Sequence, residues 1–239
     1  MVITMLLVSA AVFAITESAP GNLARNVLGA YITDEQEAAF LAQNGLDQSL
    51  YIRYFRWLVG SDWEGERKTG FRLRRIESQE GFYEWWAQDQ SDELMRWKLV
   101  GDDLIEISHK DDGTLKETVK NGRWQKDEKG VEYFWGVNTQ NSVVRWERGM
   151  DTKTWSLTAG GDWLQSSGAP VAYIPLKKGL LRGDPGVSLR TGRPVVKSLS
   201  RRLKNSMILA GIAFVIVMPL ALFLGFVAGL YEGKLRDRL

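Results

Sequence analysis

Hydrophobic and polar residues divide this chain into three stretches. Val2–Thr16 and Met207–Tyr231 are almost purely apolar, and the long region between them is dense in charge. No Asp, Glu, Lys or Arg occurs from Met207 to Tyr231. That run exceeds the roughly 20 residues a helix needs to cross the hydrocarbon core of a bilayer. Gly211, Ala213, Gly225, Ala228 and Gly229 are small residues of the kind that let membrane helices pack closely. Pro219 would break a helix in water but is tolerated as a kink in a membrane. Tyr231, followed by Lys234, Arg236 and Arg238, suits the headgroup level. The pattern predicts a transmembrane helix over 207–231. The first segment is shorter and is closed by Glu17 and Pro20. It fits a first membrane helix over 1–19 and also the core of a signal peptide, although the basic segment that precedes such a core is missing.

Between the apolar segments two grammars follow one another. Thr33 and Gln36 have the spacing of a capping box, and Asn44-Gly45 supplies a left-handed stop, which predicts a helix between them. A second helix over about Asp47–Val59 puts Leu50, Tyr54, Trp57 and Leu58 on one face. Its Tyr51, Tyr54, Phe55 and Trp57 with Arg53 and Arg56 fit a membrane interface, or equally an amphipathic helix packed on a protein core. These helices belong to a segment spanning 20–62.

From 63 to 173 the pattern becomes short strands separated by turns. Phe71–Ile76 alternates apolar and basic residues, as in a half-buried strand. Glu93–Leu99 and Asp103–Ser108 predict a hairpin about Gly101-Asp102. Thr114–Val119 and Arg123–Gln125 predict another, because Asn121-Gly122 suits a type I′ turn. Val131–Val137, Ser142–Glu147, Lys153–Leu157 and Pro170–Ile174 are further strand candidates. Every tryptophan except Trp57 falls in this stretch. In a small β-domain such residues fill the core more often than they build a ligand-stacking platform. The expectation is a small sandwich or barrel, joined by a return segment over 174–206 to the second membrane helix.

Composition narrows the chemistry. The formal net charge is only +2, with no basic stripe carrying base-stacking aromatics, so no nucleic-acid partner is expected. There is no cysteine, and His109 is the one histidine, which excludes disulfides, thiolate sites and His-based metal clusters. Asp102-Asp103 and Asp111-Asp112 read as turn residues, and the Asp111–Thr114 segment lacks the other ligands of an EF-hand loop. His109 has no recognisable serine or cysteine partner, and no P-loop occurs. No catalytic, cofactor-binding or metal-binding residue is predicted, and no enzyme activity.

Four ordered blocks outside the β-rich region carry a family resemblance. AVFAITESAPGN at 11–22 runs an apolar helix into Ala19-Pro20-Gly21-Asn22. NGLDQSLYIRYFRWLVG occupies 44–60, with Ser49 where the family has proline. LLRGDPGVSLRTGRPV occupies 180–195, with Pro185 in place of leucine. The fourth runs from Ser200 to Leu239 through Arg202–Ser206, Met218-Pro219-Leu220, Gly233 and Asp237-Arg238. Together they resemble the N-terminal portion of bacterial dipeptide/oligopeptide ABC-transporter permeases. An insertion between Trp63 and Tyr173 departs from the usual pattern of that family. The chain also stops where the family continues into further helices and the Glu-Ala-Ala loop that docks on the ATPase, so the expectation is a permease fragment or a truncated product.

The resemblance implies a multi-pass protein of the bacterial inner membrane, with 20–206 in the periplasm and 232–239 in the cytoplasm. The implied fold class is α-helical membrane protein with two transmembrane helices and an inserted all-β extracytoplasmic domain. The implied function is a permease subunit importing peptides or related small solutes without a cofactor of its own. Its partners would be a second permease subunit, cytoplasmic ABC ATPase subunits, a periplasmic solute-binding protein and the lipid bilayer. The competing expectation is a single-span receptor, with 1–19 a cleaved signal and 207–231 the anchor of an exported β-domain. Charge leaves the orientation open, since Lys197, Arg201, Arg202 and Lys204 precede the second apolar segment and three basic residues follow it.

Overall fold

The computed structural model describes residues 1–17, 23–29, 31–78, 80–110, 113–149, 153–157, 163–167 and 170–230. The chain divides into two compact units, Met1–Pro194 and Val195–Leu239.

The first unit opens with helices α1 (Val2–Glu17), α2 (Leu23–Leu28), α3 (Asp34–Asn44), α4 (Leu50–Val59) and α5 (Asp62–Thr69). Helix α3 starts and stops as its sequence dictates. The Thr33 hydroxyl accepts from Gln36 N, the Gln36 side chain accepts from Thr33 N, and Gly45 closes the helix at φ 63°. Helix α4 begins at Leu50, a few residues later than expected. Its two aromatic surfaces divide: Tyr54 and Trp57 pack on Phe13 of α1, with ring centroids 5.4 and 5.5 Å away, while Tyr51 and Phe55 stay exposed. Helix α5 replaces the expected start of the β-region at Trp63. It docks through Gly65, where a Cβ would lie 2.8 Å from Leu73 and 3.0 Å from both Leu176 and Val143.

Strands β1 (Arg72–Glu77), β2 (Tyr83–Gln88), β3 (Leu94–Val100), β4 (Asp103–His109) and β5 (Leu115–Val119) form an antiparallel meander in chain order. A second antiparallel sheet has the order β11-β8-β7-β6, from β6 (Gln125–Lys126), β7 (Glu132–Val137), β8 (Ser142–Glu147) and β11 (Ala172–Pro175). Strands β9 (Lys153–Leu157) and β10 (Trp163–Ser167) pair as a separate ribbon. The hairpin about Gly101-Asp102 forms, with Val100 opposite Asp103. The hairpin about Asn121-Gly122 does not form. Residues Asn121–Arg123 make a 3₁₀ turn that carries the chain from the first sheet to the second. Asn121 spends its side chain on that crossover, accepting from Leu104 N at 2.8 Å and donating to Asp103 at 2.7 Å.

The two larger sheets share one core. Trp85, Ala87, Met95, Trp97 and Leu104 from the meander meet Phe134, Val137, Val143, Val144 and Trp146 from the second sheet, as in a sandwich. Trp97 is fully buried, edge-on to Phe134, and its indole crosses Gly136, where a Cβ would stand 2.8 Å from the ring. A charged pair enters this core: Glu106 accepts from Trp97 Nε1 and pairs with Arg123 at 2.9 Å. The tryptophans at 85, 97 and 146 are therefore core residues.

The second unit is α6 (Val195–Leu230), 36 residues long and about 54 Å by helix geometry. It begins well before the expected 207. Its early turns carry Lys197, Arg201, Arg202 and Lys204, and the apolar run follows with its side chains exposed from Met207 to Phe226. An exposed apolar surface of this extent fits lipid rather than water. Among the described residues α6 is the one helix long and apolar enough to cross a membrane. Helix α1, at 16 residues, reaches about 24 Å and falls short of the roughly 30 Å hydrocarbon core.

Candidate functional site

The chain enters the β-domain and leaves it at one place. Ser61, just after α4, is fully buried, and its hydroxyl donates to Pro175 O at 2.5 Å. Ser61 Oγ also accepts from Lys177 N at 2.9 Å, and Ser61 N donates to Lys177 O at 2.9 Å. Beside this clip Gly60 and Gly179 touch backbone to backbone. Gly60 sits at φ 100°, and a Cβ there would stand 2.7 Å from Lys177 O. Gly179 has φ 96°, and its Cβ would meet Gly60 N at 2.5 Å. Both positions demand glycine, because no L side chain has the backbone freedom or the space. Arg182 closes the outside, donating to both carboxylate oxygens of Asp62 and to Val59 O.

A cavity of about 270 Å³ opens beside this stem. Phe13 and Glu17 come from α1, Arg53 and Trp57 from α4, Arg75, Tyr83 and Trp85 from β1 and β2, and Lys177 and Asp184 from the return segment. Asn141 organises its floor. It lies at φ 62°, a left-handed conformation that asparagine tolerates better than most residues. Its side chain accepts from Trp85 N at 2.8 Å and from Arg96 at 2.9 Å, and donates to Tyr83 O at 3.0 Å. Its carbonyl accepts from Leu176 N at 3.0 Å, so one residue ties β2, β3 and the return segment together.

Most charges around the cavity are compensated. Arg53 pairs with Glu17. Arg75 pairs with Asp184 and lies 3.9 Å over the Tyr83 ring. Arg56 is held by Glu64 and Gln48. Arg96, below the floor, donates to Trp85 O at 2.6 Å and stacks over Trp86 at 4.3 Å. Burial pushes its guanidinium down to about 10, against the pull of Glu84. Lys177 differs. Burial holds its amine below the ordinary lysine value, Arg53 and Arg56 push the same way, and Glu17 opposes them. Among the described residues the Lys177 ammonium has no ion-pair partner.

The acidic and histidine residues noted in the sequence do not assemble into a site. Asp102 occupies the β3–β4 turn, Asp103 accepts from Asn121, and His109 meets Trp86 edge-on at 5.3 Å. Asp111 and Asp112 lie outside the described residues. No group of three or more acidic or histidine side chains is arranged for a metal among the described residues.

The cavity was not legible in the sequence because its lining is spread over eight short segments between Phe13 and Leu189, although Arg53 and Trp57 stood out there for another reason. One signal was present: the lining draws on all three resemblance blocks that precede α6, with Phe13 and Glu17 from 11–22, Arg53 and Trp57 from 44–60, and Asp184, Pro185 and Gly186 from 180–195. No family model, curated protein or solved structure matches the chain.

Proposed function

We propose that the chain is a transmembrane subunit of a bacterial ABC importer for peptides or related small solutes, with the β-domain inserted on the periplasmic side. The observation that carries the proposal is the convergence of the 11–22, 44–60 and 180–195 blocks around one cavity. Segments more than a hundred residues apart meet in space while the β-domain leaves and rejoins at Ser61 and Pro175–Lys177. An insertion into a pre-existing host segment has this geometry, since insertion is tolerated where the two stems lie close together. In this reading α1 and α6 are the first two membrane helices, and the shortness of α1 is met by local thinning of the bilayer. The subunit works with a second permease, two cytoplasmic ATPases and a solute-binding protein, and the β-domain lies against the binding protein.

The experiment is affinity purification of the tagged chain from native membranes, paired with peptide uptake by cells that lack and then regain it. Co-purification of a second permease and an ATPase, with uptake restored by the chain, is the expected result. Unchanged uptake together with purification of the chain alone would refute the proposal. Excising 64–172 tests the role of the β-domain: reduced uptake and weaker binding-protein affinity are expected, and neither changing would sink that role.

A second reading, the singly anchored β-domain, is favoured by the one observation that α6 alone among the described residues is long enough to span a bilayer unaided. The mature N-terminus separates the two. Retention of Met1 fits the importer, and a start after the 11–19 region fits the anchored receptor.

A further inference from the structure

We propose that the cavity at the stem of the β-domain binds a small monocarboxylate with an apolar body, its carboxylate paired with the Lys177 ammonium. Charge compensation selects the class. Among the described residues, the carboxylates lining the cavity are Glu17 and Asp184, both engaged, by Arg53 and Arg75, so a ligand amine finds no free acid among them. Both guanidiniums are spent in the same pairs. Among the described residues that line the cavity, Lys177 is the cation left without an ion pair, and a partly desolvated ammonium felt only through space by Glu17 gains from an arriving anion. One positive charge matches a monoanion, whereas a dianionic phosphate would carry one negative charge too many.

The remaining lining selects the body of the ligand. Phe13, Trp57, Trp85 and Leu176 give apolar walls, and the volume of about 270 Å³ lies near the lower limit of small-molecule sites. The position of Lys177 is fixed by its own backbone, which exchanges two hydrogen bonds with buried Ser61. The root of the Lys177 side chain is therefore fixed at the cavity, and its flexible stem carries the ammonium. Burial holds the Lys177 amine below its ordinary value, and an incoming carboxylate would pull it back up by favouring the charged form.

The test uses the full chain in lipid nanodiscs, with empty nanodiscs subtracted, and equilibrium dialysis of labelled 3-phenylpropionate. Its neutral isostere 3-phenylpropanamide and inorganic phosphate serve as comparisons. Saturable binding of the carboxylate is expected, with the amide and phosphate each at least about tenfold weaker. Lys177→Met should lose at least about tenfold in affinity and Lys177→Arg should stay within about threefold. The tryptophan near-ultraviolet circular dichroism confirms that each variant is folded. If Lys177→Met does not fold, the amide comparison and Lys177→Arg still decide. Absence of saturable binding up to the order of 10 mM, equal binding of the amide, undiminished binding by folded Lys177→Met, or equal competition by phosphate would each overturn the proposal. The inference does not rest on the transport reading, because binding is measured on the chain alone and uptake is not.

Discussion

Replacing Ser61 by alanine tests the idea that the β-domain is clipped to its host at one residue. The substitution removes a single oxygen from a fully buried position and adds nothing, so steric effects are absent. Two hydrogen bonds disappear, from Ser61 Oγ to Pro175 O and from Lys177 N to Ser61 Oγ. The first is worth about 1 kcal/mol net, and orphaning the Lys177 N–H costs a further ~1–3 kcal/mol. A loss of about 3 kcal/mol, roughly two orders of magnitude in the folding equilibrium, is the expected total. The assay is urea unfolding of the detergent-solubilised chain followed by tryptophan fluorescence, which reports on the β-domain because Trp85, Trp97 and Trp146 lie in its core. Ser78→Ala is the control. Its hydroxyl accepts one bond of 3.2 Å from Phe82 N in a turn, and losing it should cost below about 1 kcal/mol. If Ser61→Ala is no more damaging than Ser78→Ala, the stem is not held through this serine.

Three further outcomes follow from the same structure. Gly60→Ala puts a Cβ against the Lys177 and Lys178 carbonyls at φ 100° and should cost about 4 kcal/mol by the same unfolding assay; Gly70→Ala, at φ 74° in open space, should cost about 1 kcal/mol. Arg123→Ala leaves the buried Glu106 carboxylate with only distant Lys120 and the Trp97 indole. Since Arg123 is one-third exposed, we expect a loss of about 2 kcal/mol, partly recovered by adding Glu106→Gln; no recovery would mean that the burden is not the unpaired charge. Lys177→Met should be more stable than the parent at pH 7, with the difference narrowing as pH rises towards the ordinary lysine value. The sign follows from its depressed folded-state value: in that window the unfolded chain holds a proton the folded chain lacks, so the parent gains stability as pH rises. Arg53, Arg56, Glu17, Arg75 and Asp184, the charges facing this lysine, are present in both proteins, and unfolding midpoints at pH 7 and 10 make the comparison.

Local signals in the sequence were sufficient where the chemistry itself is local. The Thr33–Gln36 box, the Gly45 stop and the Gly101-Asp102 turn each act within a few residues, and each forms as expected. Helix α5 was not legible because DWEGERKT has no apolar periodicity; its place depends on Gly65 fitting against Leu73, Val143 and Leu176. Strand β2 was missed for a related reason. Its YEWWAQ segment does not alternate cleanly, since Trp85 enters the sandwich core while neighbouring Trp86 is buried against Arg96 and His109. The Asn121-Gly122 turn was misread because its dipeptide suits a hairpin, whereas the Asn121 side chain binds strand β4 and ends the first sheet. The cavity lay further out of reach. Lys177 becomes distinctive only when the partners of its neighbours are known, and those partners are set by tertiary contacts.

The clip at Ser61 also decides how the protein bears load. Tension applied between the residues before Gly60 and those after Gly179 reaches the Ser61–Lys177 and Arg182–Asp62 bonds before it reaches any strand. While those bonds hold, the sandwich is mechanically bypassed and the two flanks act as one short tether. Once they part, the intervening chain can pay out by as much as roughly 370 Å if fully drawn, far beyond the thickness of a bilayer. A few hydrogen bonds at the base of the domain thus form a mechanical fuse, separating a stiff regime from a long compliant one.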